Sequence, residues 1–85
     1  MTSDQIEKFF VNNKKQINQQ IKIAFKSRNP VEGVFIQTQD YDELRMKNFW
    51  RIVSAQNVIQ YKKTKDINLS RIFSGTEMTK LSAIL

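Results

Sequence analysis

Eighty-five residues without a single cysteine or histidine must hold their fold by packing alone. Neither a disulfide framework nor a thiolate metal site can supplement a small core. Every apolar residue therefore counts, and its spacing along the chain is the main source of structural information. Hydrophobic residues make up 40% of the chain, with nine aromatics, two glycines and one proline. This composition suits a folded unit and not a disordered tail. A chain of this length closes one core, so residues 1–85 are read as a single domain with no deep substrate cavity.

The first 28 residues read as helical. Thr2, Ser3 and Asp4 are good N-caps, and the pairs Thr2/Gln5 and Asp4/Glu7 have capping-box spacing. Ile6, Phe9, Phe10, Ile17, Ile21, Ala24 and Phe25 recur at helical offsets, which predicts helix from Ser3 to Ser27. Val11-Asn12-Asn13-Lys14 interrupts the stripe and leaves open one bent helix or two shorter ones. Asn29-Pro30 ends the segment, because a residue before proline avoids the α region.

From Pro30 the pattern changes to β. Val31 to Thr38 is rich in β-branched and aromatic residues, with Val34 and Ile36 on one face. Gln39 to Lys47 is polar and acidic, suited to a loop or a single helical turn. Asn48 to Ser54 reads as a second strand, and Ala55-Gln56-Asn57 as a tight turn into a third, Val58 to Lys63. That hairpin would put Trp50, Ile52, Ile59 and Tyr61 on one face, with Arg51, Val53, Val58, Gln60 and Lys62 on the other. Ile67 to Phe73 follows, then a turn at Ser74-Gly75-Thr76. For Glu77 to Leu85, the alternation of Thr79, Leu81, Ala83 and Leu85 favours strand over helix.

The sum is an α+β fold, an N-terminal helix packed on a four- to five-stranded antiparallel sheet or small partial barrel. Helix followed by a curled sheet is similar in layout to SH3-like and Sm-like barrels. The similarity concerns architecture, and fold analogy alone does not carry function.

Absence of His and Cys removes hydrolytic triads, thiol nucleophiles and histidine metal sites. Asp40, Asp42 and Glu43 form the one dense carboxylate cluster. It lacks the ligand alternation and glycine of a calcium loop, so a solvated acidic loop is expected rather than a cation site, with local pairing to Arg45 or Lys47 as its other role. Gly33 and Gly75 are isolated, so neither common phosphate-binding loop is present; Gly33 reads as a bulge or sheet bend. The expectation is a protein that binds without catalysing, and with no cofactor.

The charge is +6, with fourteen Lys and Arg against eight Asp and Glu. Both ends are basic and the middle nearly neutral: six basic and two acidic residues in 1–28, three and four in 29–61, five and two in 62–85. Such a surplus favours polyanions, and it also serves solubility. Arg51, Lys62, Lys63 and Lys65, with Phe49 offering a ring for stacking, are the nucleic-acid-binding candidates, RNA or DNA being the partner. Lysines near a strand end equally protect an edge from aggregation. The competing reading is protein interaction or self-assembly into a homo-oligomer, through Ile6, Phe9 and Phe10 of the amphipathic helix and through open strand edges. A basic amphipathic helix could also lie on a membrane surface, although Asn and Gln dominate its polar face. No secretory start and no membrane-length apolar run occur, so a cytoplasmic location is expected.

Overall fold

A computed structural model describes residues 1–16 and 18–84. In chain order, α1 (Ser3–Asn12) is followed by β1 (Ile21–Phe25), β2 (Val31–Phe35), α2 (Tyr41–Met46), β3 (Phe49–Ser54), α3 (Val58–Thr64), β4 (Ser70–Ser74) and β5 (Met78–Ala83). Short 3-10 turns at Lys14–Gln16, Ala55–Asn57, Ile67–Leu69 and Gly75–Glu77 join them. All five strands form one antiparallel sheet in the order β4-β3-β2-β1-β5. The fold is α+β, a helix on a five-stranded antiparallel sheet. Among the described residues no helix is long and apolar enough to cross a membrane.

The two edge strands are neighbours in sequence. From Ser74 to Met78 the chain takes four Cα steps, at most about 14 Å. In a flat sheet β4 and β5 would stand four strand spacings apart, about 19 Å. The turn Gly75–Glu77 therefore forces the sheet to curl at that end. It remains open, with no ladder between β4 and β5 among the described residues.

The N-terminal helix is shorter than its periodicity suggests. Thr2 is its N-cap: Gln5 N donates to Thr2 Oγ1 at 3.2 Å and Thr2 N donates to Gln5 Oε1 at 2.9 Å, a complete capping box. Such a cap contributes about 1 kcal/mol. At the other end Asn13 leaves helical geometry at φ −132°, and its Nδ2 donates to Phe9 O at 2.8 Å. Residues 21–25, expected to continue the helix, are instead the central strand β1. Ile21, Ile23 and Phe25 point into the core while Lys22 is exposed, a period of two that the offset Ile21/Phe25 cannot distinguish from a helical turn. Backbone pairing on both sides of β1, to β2 and to β5, decides for strand. Ile17 and Leu85, members of the expected stripe and of the final alternation, lie outside the described residues.

The expected hairpin after β3 is also replaced. Ala55–Asn57 winds as a 3-10 turn that runs into α3. Val58 and Tyr61, three residues apart, pack on Val34, Ile36 and Val53, whereas Ile59 is 73% exposed. The apolar residues of this segment fit a helix face covering the sheet, and a strand would have needed Ile59 buried beside Tyr61. Asp40 caps α2 and Asp42 and Glu43 lie in its first turn, the single helical turn of the expectation extended to six residues. Residues 78–83 are strand, as their alternation suggests.

Cβ direction alternates between the sheet faces and sorts the core into two layers. One face joins Ile21, Ile23, Phe25, Trp50, Ile52, Met78 and Leu81 to Ile6 of α1, with Phe9, Phe10, Phe35 and Tyr41 packed against them. Fully burying each of these large side chains contributes about 1.5–3 kcal/mol. The other face carries the smaller layer under α3. Gly33 sits in β2 between both neighbours, and a Cβ there would lie 2.6 Å from Val53 O and 2.9 Å from Ile52 Cγ2. It permits close approach of β2 and β3 in an unshifted register, not the bulge that an isolated strand glycine suggests.

Candidate nucleic-acid interface

Beside β2, two clefts meet. The first, about 490 Å³, is walled by Phe10 of α1, Phe35 of β2, Tyr41 of α2 and Trp50 of β3, with Glu7, Lys14, Asn18, Gln37 and Arg45 among the polar groups at its rim. The second, about 630 Å³, lies between α3 and the sheet; Val34, Ile36, Val53 and Val58 line it together with Tyr61, Lys62 and Lys65. Asn18 and Gln37 border both. The two clefts open on opposite faces of the sheet and adjoin at Asn18 and Gln37, so the groove they outline bends around the end of β2, aromatic on one face and lysine-bearing on the other.

Each wall is fixed by local structure. Phe35 is edge-on to Phe10 (5.1 Å between centroids) and to Trp50 (5.9 Å), and Tyr41 is edge-on to Trp50 (6.1 Å). Trp50 is held by its indole N–H, which donates to Asn48 Oδ1 at 2.9 Å. At the rim Arg45 Nη1 donates to Glu7 Oε1 at 2.7 Å, tying α2 to α1, and Ser3 Oγ donates to Arg45 O at 2.6 Å. Burial, reinforced by the Glu7 carboxylate, pushes the Tyr41 phenol above its ordinary pKa. Its hydroxyl therefore stays a hydrogen-bond donor at neutral pH. At the far end Lys65 Nζ stands 5.6 Å from the centroid of the Tyr61 ring, and Lys65 takes a left-handed conformation (φ 56°) that ends α3.

Positive charge is largely uncompensated. Of the fourteen Lys and Arg, only Arg45 and Arg51 form ion pairs among the described residues. Lys14, Lys62 and Lys65 at the groove are therefore free to meet an external anion.

The basic patch read from the sequence is divided by the fold. Lys62 and Lys65 line the groove; Lys63 is exposed on α3 but is not among the lining residues. Arg51 is committed elsewhere: its Nε lies 3.1 Å from Asp40 Oδ1 and its Nη2 2.8 Å from Oδ2. Thr38 Oγ1 also donates to Asp40. The Arg51 guanidinium, followed by the Thr38 hydroxyl, holds the Asp40 carboxyl at about 2, below its ordinary 3.8. Phe49 is exposed at the start of β3, away from the groove. Of the interaction candidates on α1, Ile6 is fully buried, and Phe9 and Phe10 are partly buried against the main layer, Phe10 also walling the first cleft.

Phe35, Tyr41, Gln37, Asn18 and Lys14 were not singled out by the sequence as site residues. The alternation Val31-Gly33-Phe35 carries a signal for Phe35, since it sets Phe35 on the face opposite Val34; the others come from three separate segments and meet only through the fold. Compared with known proteins, the chain matches no family, no curated protein and no solved structure.

Proposed function

We propose that this chain is a small, non-catalytic binding module that holds single-stranded nucleic acid, RNA foremost, along the groove beside β2. The observation that carries the reading is the adjacency, at Asn18 and Gln37, of an aromatic-walled cleft bearing Lys14 and a cleft bearing Tyr61, Lys62 and Lys65, none of these lysines ion-paired among the described residues. Unstacked bases gain from aromatic surfaces irrespective of sequence, and lysines follow the phosphates. The basic patch of this reading is α3 with Lys14, in place of a β-hairpin.

The test is fluorescence anisotropy with labelled mixed-sequence RNA and DNA oligonucleotides at two salt concentrations. Three phosphate contacts to a single strand give a slope of log K against log salt of about −2. Joint replacement Lys62→Glu and Lys65→Glu should weaken binding at least ten-fold, with a smaller effect from Lys47→Glu on the α2–β3 connection. No salt-dependent binding at low salt would end the proposal.

Self-assembly is the second reading. Ile6 is buried and Phe9 and Phe10 are partly buried, so the support for this reading comes mainly from the unpaired sheet edges.

A further inference from the structure

The two sheet edges differ in how open they are. Along β5 the pairing with β1 shifts between Ala24 and Phe25, leaving Thr79 as an extra residue between the paired Met78 and Lys80. A bulge and an exposed lysine are two recurrent protections of a strand edge. Edge strand β4 has neither lysine nor proline, its one charge is the exposed Arg71, and its pairing with β3 runs unshifted from Phe49↔Ser74 to Val53↔Ser70. Ile72 at its centre is 47% exposed.

Hydrogen-bond alternation identifies which β4 groups face outward. Ile36 N donates to Arg51 O at 3.0 Å, so Arg51 bonds toward β2; Gly75 N donates to Asn48 O at 2.8 Å, so residues 48, 50 and 52 bond toward β4. Their partners Phe73 and Arg71 therefore use their backbone groups inward. Ser70, Ile72 and Ser74 turn theirs to the open side. The Ser70 N–H is already taken by Ile67 O, which leaves the Ser70 carbonyl and both groups of Ile72 and Ser74.

Apart from the Ser74 carbonyl, whose counterpart is that occupied Ser70 N–H, this set is its own complement. When β4 meets β4 of a second copy antiparallel about Ile72, Ile72 N–H and C=O exchange bonds with Ile72 of that copy. Ser74 N–H then faces the mate's Ser70 carbonyl, and the reverse. The two Ile72 side chains cover each other, and Arg71 falls opposite Phe73 of the mate, avoiding a like-charge pair. We propose that two copies of this chain pair through β4 about a twofold axis at Ile72, forming one sheet across both. No residue of the nucleic-acid groove belongs to β4, so the inference goes beyond that reading and stands apart from it. One strand pair and one isoleucine contact make a small interface, which implies weak, concentration-dependent association.

Light scattering of the full chain over a concentration series is the experiment. The expected result is a monomer approaching twice its mass as concentration rises, with no larger species. Ile72→Lys places like charges opposite each other on the axis; it should keep the thermal midpoint of the wild-type monomer and abolish the mass increase. Because the chain has no cysteine, Ile72→Cys should form a crosslinked dimer under mild oxidation, whereas Lys80→Cys on β5 should not. A wild type that stays monomeric at its solubility limit overturns the proposal, as does growth into rings or chains through β5 or crosslinking from Lys80→Cys alone.

Discussion

The side chain of Asn48 occupies the space above the α-carbon of Gly75. A Cβ at Gly75 would stand 2.6 Å from Asn48 Cγ and 2.8 Å from its Nδ2. Asn48 is held there by four bonds: its Oδ1 accepts from the Trp50 indole, its Nδ2 donates to Met1 O, its carbonyl accepts from Gly75 N and its amide donates to Arg45 O. The end of α2, the start of β3 and the turn that curls the sheet thus meet at one amide, in a left-handed residue (φ 62°).

Gly75→Ala should therefore displace Asn48 and strand the Trp50 N–H, costing about 2–4 kcal/mol. Removing the obstacle with Asn48→Gly, which also suits the positive φ, should make the double variant less destabilised than the sum of the two. Urea titration of the four proteins measures the coupling; strict additivity would refute the steric account.

The Asp40–Arg51 pair gives a pH dependence with a defined sign. Asp40 titrates at about 2 in the folded chain against 3.8 ordinarily, so the unfolded state binds the proton more readily. The stabilisation is fully present above about pH 4 and is lost as pH falls through 2. Thermal melts of wild type and Asp40→Asn should differ at pH 5 and converge toward pH 2; a gap independent of pH would contradict the pairing.

The helical assignment of residues 58–64 is open to a simple mutational check. Ile59→Lys, on the exposed side of α3, should change stability by no more than about 0.5 kcal/mol. Val58→Ala, at 5% exposure, should cost about 1–3 kcal/mol. In a hairpin with Ile59 facing the core, the order of the two effects would reverse.

Along the groove, Tyr61→Ala should weaken oligonucleotide binding by about 1–3 kcal/mol without changing the salt slope, because it removes stacking surface and no charge. Phe49→Ala, on β3 away from the groove, should leave affinity unaltered. Equal losses from both would place the nucleic acid elsewhere on the molecule.

The parts of the fold legible in advance were those with one dominant local signal. Thr2 and Gln5 bear a capping box whose chemistry is complete within four residues, and α1 begins there. Trp50 and Ile52 flank Arg51, share one face of the strand and are buried. Residues 21–25 were misread because Ile21 and Phe25 fit both periods, and residues 58–63 because Val58, Ile59 and Tyr61 can populate a strand face or a helix stripe.

The site was less legible than the fold. Arg51 looks like any free cation until Asp40, eleven residues earlier, is found against it. Phe9 and Phe10 look like an exposed patch until the sheet arrives beneath them. Conversely, Lys14, Asn18, Tyr41 and Lys65 have no mutual spacing that could announce a groove.

By itself, then, the sequence determined that this protein must be held together by packing, that it begins with a capped helix and continues largely in antiparallel strands, and that it carries surplus positive charge. Tertiary structure decided which of the ambiguous segments became helix or strand, because pairing on both sides of β1 and the cover that α3 gives to Val34 and Val53 outweigh small differences in local propensity. It also decided which charges are free. An ion pair and a burial are properties of distance in space, and only the folded chain sets those distances.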